Sequence, residues 1–562
     1  MEKKPHHCTK AEQKQEQRQA QNLIVYLANA LESPRPTSSL SPSSRAPATP
    51  RRHAMAETQQ LHFLIVTYPA QGHVTPARHL ARRLAAAAPG ARATVCAPLS
   101  AFRRMFPGAA EDGEERADVD GDGVAYVAYS DGYDGGFDGA VDSYARYMEQ
   151  ARAAGTRSLA AVLRRLRGGG RPVTCAVYTL LLPWVAAVAR DHGVPATAVF
   201  WIQPATALAA YYHYFRGHGE AVAAAAASGD PRAEVRLPGL PPLRVRDLPS
   251  FLAITSDDDP FAFVLPEFRE LVDALERGGG GGGRSKPPLY VLANTFDAME
   301  HDALASLRPH VDVFAVGPVL SFLHDAGDAG RTQPSPHCDM FGHDGEGYLD
   351  WLDTKPARSV VYISFGSSSV MSKKQVAEVA DAMARIRRPF LWVLRKDNCK
   401  DDEDDAAIKK LTTAAAAATG GGGGGMVVAW CDQGRVLSHP SVACFVTHGG
   451  WNSTLESAAC GVPTVVAPQY SDQGTAAWLV AERMGTGVRA AAAAAAAREG
   501  AAGGGVVEAG ELRRCVEAAT SEAVAARAAA WRERARAAVA GGGSSDRSLR
   551  AFLRHVAGDG GN

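Results

Sequence analysis

From residue 61 onward, short apolar runs alternate with longer amphipathic stretches. The first run, 62–68 (HFLIVTY), is followed by Pro76, which predicts the start of a helix that extends through residue 88. Continuous apolar runs of this kind are typical of strands buried on both faces of a parallel sheet. Four further runs share this character: 93–97, 175–178, 196–200 and 289–293. Their alternation with helical patterns predicts a parallel sheet covered by helices on both faces.

A second series of apolar runs begins near Phe314. Its clearest members are 359–365, 389–394, 426–429, 443–447 and 464–467. Two such series predict an α/β protein with two domains in tandem. The expected division is a first domain at 61–317, a linker at 318–347, a second domain at 348–540 and a closing helix within 541–562.

The segment 1–60 differs from the rest of the chain. It is rich in Gln and Lys at first and then in Ser and Pro, which predicts a disordered extension, with Met55 as the natural start. A transit peptide is the alternative, and four acidic residues count against it: Glu2, Glu12, Glu16 and Glu32. Tracts of Gly and Ala at 278–283, 414–418, 420–425 and 490–497 predict expanded surface loops.

Composition narrows the class of function. The 60 Lys and Arg residues balance 60 Asp and Glu residues, which argues against a nucleic acid or an anionic membrane as partner. No apolar stretch reaches the roughly 18–20 residues of a membrane span. The nine cysteines form no CxxC pair, which favours a reducing compartment over a disulfide framework or a zinc site. We expect a cytoplasmic protein whose partners are small molecules.

The most informative segment is 430–473. Its strand at 442–447 ends at His448, two glycines follow, and a helix is predicted from near Asn452 to Gly461. Glycines before a helix let an anion approach free backbone N–H groups, where the helix dipole also favours negative charge. His448 adds a donor at the same place. The pattern predicts a pyrophosphate site at the carboxyl edge of a parallel sheet.

Each of these residues also has a purely structural interpretation. Ser453 and Glu456 have the spacing of a capping box, which needs no ligand. His448 fits a hydrogen-bonded loop histidine, and Trp430 and Trp451 fit a hydrophobic core. Their occurrence together within one strand, loop and helix favours the ligand site.

The segment 430–473 resembles, nearly position for position, the signature box of plant secondary-product glycosyltransferases, which are plant family 1 UDP-glycosyltransferases. The wider resemblance runs from about Leu61 to the end of the chain. It implies the GT-B fold, in which two Rossmann-like domains face each other across a cleft and the closing helix packs back on the first domain. It also implies inverting transfer of glucose from UDP-glucose, without a cofactor or metal, to a lipophilic acceptor on the first domain.

The resemblance assigns the donor site residue by residue. Trp430 is expected to stack on uracil, the Cys431 backbone to meet the uracil edge, and Gln433 and Glu456 to bind the ribose. The phosphates are expected to lie against Ser364, Ser367, His448, Gly450, Asn452 and Ser453. The sugar is expected to face Trp451, Asp472 and Gln473, and the terminal glutamine with this tryptophan favours glucose.

A histidine follows the first strand in the sequence 69–76 (PAQGHVTP). His73 is the only side chain there that titrates near neutral pH, and its loop position predicts exposure at the top of the sheet. The match to the family implies that His73 is the general base for the acceptor hydroxyl, a role that contributes about 10²–10⁴-fold to the rate.

The chain departs from the family at the usual partner of this histidine. Thr179, in 178–184 (YTLLLPW), stands where most members have an aspartate. Threonine can orient an imidazole by a hydrogen bond but cannot stabilise the imidazolium by charge, so we expect a weaker base. A carboxylic acid, with a pKa of about 4–5, is already ionised at neutral pH, which favours glucose-ester formation on an acid such as indole-3-acetate. The same segment resembles the branch with auxin-ester, crocetin and anthocyanin 5-O-glucosyltransferases, so a phenolic hydroxyl stays open. Phe137 and Gln203 are the predicted acceptor contacts.

Three other classes of function are alternatives for this sequence. An ester hydrolase is opposed because the chain has no GxSxG elbow. A nicotinamide dehydrogenase is opposed because no GxGxxG follows the first strand. A UDP-sugar binder without activity is supported by Thr179 and the expanded loops. It is opposed by His73 and by the donor box, which is the segment 430–473.

Overall fold

The computed structural model describes residues 60–558, apart from 110–111, 118–122, 139–140, 257–258, 260, 280–287, 325–346, 368, 370, 396–408, 411–412, 415–416, 418–423 and 493–504. The predicted amino-terminal extension, most of the predicted linker and most of the Gly and Ala tracts lie outside the described residues. The predicted domain boundaries therefore stay predictions.

The amino-terminal half is built on an eight-stranded sheet in the order β10-β9-β6-β5-β1-β2-β4-β3. Every neighbouring pair is parallel except β3 with β4. The strands are β1 (His62–Val66), β2 (Arg92–Pro98), β3 (Glu115–Arg116), β4 (Val124–Tyr129), β5 (Cys175–Thr179), β6 (Ala196–Trp201), β9 (Leu289–Ala293) and β10 (Val313–Ala315). A separate hairpin joins β7 (Glu234–Val235) to β8 (Leu243–Arg244).

Helices cover both faces of this sheet, as the buried pattern of β1 and β5 requires. They are α1 (Gln71–Ala87), α2 (Leu99–Met105), α3 (Tyr144–Gly168), α4 (Trp184–Asp191), α5 (Ala205–His213), α6 (Gly219–Ala227), α7 (Val264–Gly279), α8 (Asp297–Leu307) and α9 (Ser321–His324).

The carboxyl-terminal half has a six-stranded parallel sheet in the order β13-β12-β11-β14-β15-β16. The strands are β11 (Val360–Ser364), β12 (Phe390–Val393), β13 (Gly425–Val428), β14 (Val442–Thr447), β15 (Thr464–Val466) and β16 (Gly487–Arg489). The helices are α10 (Gly347–Asp353), α11 (Lys373–Ile386), α12 (Gln433–Ser438), α13 (Trp451–Cys460), α14 (Gln473–Trp478), α15 (Ala509–Ala519), α16 (Glu522–Val539) and α17 (Ser544–Ala557).

Two predictions about element positions were wrong. The first helix begins at Gln71, not at Pro76, so His73 lies in the first helical turn and Pro76 lies inside the helix. Phe314 belongs to β10 at the edge of the first sheet, so the second series begins with β11. Pro76 was interpreted as a helix start and Phe314 as the start of the second series. Both boundaries depend on contacts with distant parts of the chain, which a local pattern does not report.

The two halves share a hydrophobic core. The largest cluster of buried apolar side chains runs from the first sheet to Trp451, Trp478 and Trp531 of the second half. The last helix, α17, lies against the first sheet, where the Phe552 ring is 5.7 Å from that of Phe314 and 5.8 Å from that of Tyr290. This core fixes the carboxyl ends of β1 and β14 on opposite sides of one cleft. Among the described helices, none is long and apolar enough to cross a membrane.

Candidate active site

His73 and Thr179 meet at the carboxyl edge of the first sheet. Nδ1 of His73 lies 2.9 Å from Oγ1 of Thr179, which is the last residue of β5 and is fully buried. The same Oγ1 accepts the backbone N–H of Tyr68 over 3.1 Å. For Nε2 of His73 to accept a proton, Nδ1 must carry the hydrogen and donate it to Thr179.

The surroundings of His73 disfavour its charged form. Burial lowers the pKa of His73 to about 3. The ring of Tyr68 packs beside the imidazole, with 5.2 Å between ring centroids. Because threonine carries no charge, nothing in this pair offsets the cost of removing the imidazolium from water. His73 is therefore neutral at pH 7 and a weak base.

The residues assigned to uridine form one hydrogen-bonded group after β13. Nε2 of Gln433 donates to Oγ of Ser453 over 2.8 Å and to Oε2 of Glu456 over 2.5 Å. Oε1 of Gln433 accepts the hydroxyl of Tyr362 over 3.2 Å, and that hydroxyl lies 3.4 Å from the sulfur of Cys431. In α13, Ser453 is buried and Glu456 is half-buried, and both hold their oxygens toward Gln433.

The capping-box interpretation of Ser453 and Glu456 was wrong. The residue that caps α13 is Gly450, and the helix starts at Trp451. Ser453 is thus the third helical residue and does not flank the helix. Trp430, half-buried, follows β13 at the rim of the same site.

His448 is packed between two glycine backbones. It follows β14, and burial together with the positive charge of Arg395 lowers its pKa to about 4, so its ring is neutral at pH 7. A Cβ at Gly450 would lie 2.6 Å from Nε2 of His448, and one at Gly366 would meet the same ring. Gly366 also has φ of +74°, a conformation that favours glycine. A neutral imidazole held beside the free N–H groups of α13 suits an anionic phosphate.

The turn after β11 completes this side of the site. Ser364 is the last residue of β11, and its Oγ accepts the N–H of Gly366 over 3.4 Å. Ser367 lies in the same turn and is half-buried. Arg395, which the sequence analysis missed, donates to the carbonyls of Gly366 and Ser369, the latter over 3.1 Å. The carbonyl of Gly366 and the N–H of Ser367 belong to one trans peptide, so they point in opposite directions. Because the carbonyl accepts a hydrogen bond from Arg395, the N–H of Ser367 points away from Arg395.

Asp472 carries an unused acceptor at the end of the site where the resemblance places the sugar. Its Oδ2 is buried and has no hydrogen-bond partner within the described part of the chain, and burial raises its pKa to about 7. Oε1 of the neighbouring Gln473 accepts the N–H groups of Gln469 and Tyr470 over 2.8 and 3.2 Å. A buried carboxylate oxygen without a donor suits a sugar hydroxyl.

Gln203 reaches this end from the other half. Its Nε2 donates to Oγ of Ser471 over 3.2 Å, while its Oε1 is buried without a partner among the described residues. Gln203 was predicted as an acceptor contact, and the structure places it beside the donor loop.

Trp451 and Asn452 both contact the amino-terminal half. Nε1 of Trp451 donates to the carbonyl of Asn294 over 2.8 Å. Nδ2 of Asn452 donates to the carbonyl of Gly72 over 3.0 Å, next to His73. The start of α13 is thus the point where the segment 430–473 meets α1, the helix that carries His73.

Aromatic residues of the amino-terminal half pack together around Phe137. Phe137 is buried, and its ring lies 4.8 Å from Tyr147 and 5.7 Å from Tyr144. Tyr68, whose ring packs against His73, also lines a small cavity. The other residues that line it include Tyr129, Asp131, Tyr147, Leu181, Leu182 and Trp184.

Asp131, which follows β4, accepts the N–H of Tyr133 over 3.0 Å and the hydroxyl of Tyr147 over 3.3 Å. Burial raises the pKa of Asp131 to about 6. A lone acid after a strand gives no sequence signal of this burial.

Comparisons with known proteins agree on the kind of enzyme. Residues 318–499 match the family model described as UDP-glucoronosyl and UDP-glucosyl transferase. UDP-glycosyltransferase 75C1 of Solanum lycopersicum is 41% identical over 88% of this chain and 99% of its own. Crocetin glucosyltransferase of Gardenia jasminoides is 38% identical over 88% and 97%. The crystal structure of Os79 from O. sativa in complex with UDP is 27% identical, covers 88% of this chain and 100% of its own, and superposes with a TM-score of 0.70.

The same family is indicated by these relatives, by the two facing α/β halves and by the segment 430–473 around the start of α13. The chain belongs to the plant family 1 UDP-glycosyltransferases of the GT-B fold.

Proposed function

We propose that this enzyme forms a glucose ester on a small lipophilic carboxylic acid, such as indole-3-acetate, with UDP-glucose as donor and with inversion at the anomeric carbon. That it is a UDP-glucosyltransferase of small metabolites follows from its family. The acid as acceptor and the residue roles below are the proposed part.

The donor half is proposed to hold UDP-glucose. Trp430 stacks on uracil, Gln433 and Glu456 bind the ribose, and His448 with the start of α13 receives the diphosphate. Asp472 and Gln473 face the glucose. The neutral His448 donates one ring N–H, and the helix N-terminus stabilises the charge that grows on UDP as it leaves.

The transfer exchanges one bond for another. The acceptor oxygen attacks the anomeric carbon from the face opposite UDP, the new carbon–oxygen bond forms, and UDP leaves with the electron pair of the broken bond. A hydroxyl acceptor must also give its proton to Nε2 of His73. A carboxylate has no proton to give, so His73 then only orients the acceptor.

The contact between His73 and Thr179 supports the ester most strongly. The histidine has a pKa of about 3 because of burial, and its partner oxygen belongs to an uncharged threonine. A base this weak is poorly matched to a phenol at neutral pH, since general bases work best with a pKa near the working pH. An acceptor that is already ionised at neutral pH needs no proton removed by His73.

A phenolic acceptor is the second proposal. Asp131, with a pKa of about 6, lines the same small cavity as Tyr68, where a carboxylate favours a hydroxyl donor over a second anion. One relative is named phloretin 4'-O-glucosyltransferase, of Malus domestica, at 39% identity. We also propose a cytoplasmic location, which the nine dispersed cysteines favour and which imaging of the tagged protein tests.

A competition assay separates these proposals. The protein is mixed with UDP-glucose and equal amounts of indole-3-acetate, cinnamate, abscisate and a flavonol, and products are identified by mass and by lability to mild alkali. A dominant alkali-labile glucoside supports the ester. A dominant alkali-stable glucoside contradicts it and supports the phenol. UDP binding without any product indicates a binder without activity.

A further inference from the structure

The first turn of α1 contains a carbonyl that the helix itself does not use. In an α-helix each carbonyl accepts the N–H of the residue four positions later. For Gly72 that residue is Pro76, which lies inside α1 and has no N–H. The missing bond lies directly beside His73, the residue after Gly72.

Asn452 supplies the donor from the other half of the enzyme. Its Nδ2 donates to the carbonyl of Gly72 over 3.0 Å. Trp451, one residue earlier, donates to the carbonyl of Asn294 over 2.8 Å. The first two residues of α13 are therefore tied to two carbonyls of the amino-terminal half, and one of these adjoins the catalytic histidine.

We infer that Asn452 is a positioning residue, which uses the carbonyl left free by Pro76 to fix the first turn of α1, and with it His73, against the donor half. A side-chain amide has two N–H donors, so one serves Gly72 while the other stays available to a phosphate. Asn452 thereby links donor binding to the placement of the base. The role applies to transfer to any acceptor and does not depend on the proposed ester.

The chemistry makes this contact sensitive to small changes. Displacing reacting groups by about 1 Å costs about 100-fold in rate. Loss of one neutral hydrogen bond that holds His73 in place is expected to lower kcat by about three- to tenfold.

The sharpest test acts on the Gly72 side, where no donor residue is touched. Pro76→Ala gives residue 76 an N–H that competes with Asn452 for the Gly72 carbonyl. We expect kcat to fall about three- to tenfold with unchanged affinity for UDP. Asn452→Ala is expected to lower kcat at least as much, and Pro76→Ala added to it is expected to have no further effect, because the contact is already lost.

A matched control breaks another contact between the halves. Arg483 pairs with Asp302 over 2.6 Å at an exposed site, and Arg483→Ala is expected to leave kcat unchanged. Additive effects of Pro76→Ala and Asn452→Ala, an unchanged kcat for Pro76→Ala, or an equal loss of UDP affinity in Pro76→Ala would each overturn the inference.

A second readout needs no acceptor. With UDP bound, Asn452→Ala is expected to increase amide hydrogen exchange in residues 70–77, whereas Arg483→Ala is not. Equal exchange in the unaltered enzyme, Asn452→Ala and Arg483→Ala contradicts the positioning role. Because this readout is independent of turnover, it separates a failure of this inference from a failure of the proposed ester chemistry.

Discussion

Nδ1 of His73 and Oγ1 of Thr179 are 2.9 Å apart, and neither group carries a charge in the folded enzyme at neutral pH. The hydrogen bond occupies Nδ1 and leaves Nε2 to accept a proton. Threonine brings no negative charge to stabilise the imidazolium that forms when a hydroxyl acceptor loses its proton. The acceptor's own ionisation is therefore expected to control the rate.

Replacing this threonine with an acid is expected to change acceptor preference. In Thr179→Asp the carboxylate favours the imidazolium and raises the pKa of His73 above about 3, which strengthens the base. The rate on a phenol is expected to rise about tenfold or more, with little change for a carboxylic acid. The measurement is kcat/KM against pH for both acceptors.

Thr179→Asn is the matched control, because asparagine has nearly the size of aspartate without its charge. It is expected to leave the preference between phenol and acid unchanged. A gain of equal size for both acceptors in Thr179→Asp would show that the charge acts on something other than His73.

Binding of UDP-glucose is expected to depend on pH through Asp472. Burial raises the pKa of this carboxyl to about 7, and sugar hydroxyls that donate to its free Oδ2 favour the ionised form. Affinity therefore increases as pH rises through about 7, by up to about tenfold between pH 6 and pH 8. Asp472→Asn is expected to remove this dependence. Calorimetric titrations over this pH range measure it, and an unchanged slope in the variant would contradict the assignment.

Arg395 is expected to matter for the diphosphate and not for the nucleoside. Its guanidinium holds the turn at Gly366 and Ser369 and lies close enough to His448 to lower the pKa of that ring. Arg395→Gln is expected to weaken UDP about tenfold and uridine less than about twofold, with the difference shrinking at high salt. Equal losses for UDP and uridine would indicate collapse of the turn. Arg395→Lys, which keeps the charge, is expected to be intermediate.

The packing of His448 gives a steric prediction. Gly450→Ala places a Cβ 2.6 Å from Nε2 of His448, so the ring must move away from the phosphate site. UDP affinity is expected to fall about tenfold while the melting temperature changes little, since the φ of −57° at this position suits alanine. Gly510→Ala in α15, where a Cβ meets nothing within 4 Å, is the control. Unchanged UDP affinity in Gly450→Ala would contradict the role of His448.

The sequence predicted most of the buried strands, though not β4, because parallel strands need continuous apolar runs. β5, β9 and β14 lie within one residue of their predicted bounds. Short edge strands were missed, because the three residues of β16 are too few to form a recognisable run.

The start of α1 was misplaced for a different reason. Proline usually marks the first turn of a helix, but α1 places Pro76 inside and uses the freed carbonyl of Gly72 for Asn452. That contact depends on the other half of the chain, and no local pattern reports it. For the same reason the sequence indicated the donor box as a unit but gave no signal for Arg395, whose burial depends on tertiary packing.

The most direct test of the glucose-ester proposal uses one acceptor that carries both groups. The enzyme is incubated with UDP-glucose and 4-hydroxybenzoate, whose carboxylate is ionised at pH 7 and whose phenol is not. We predict that the main monoglucoside is the alkali-labile ester, and that Thr179→Asp shifts the ratio toward the alkali-stable phenolic glucoside. A main product on the phenol in the unaltered enzyme would contradict the account, because it would show that His73 removes a proton efficiently without an anionic partner.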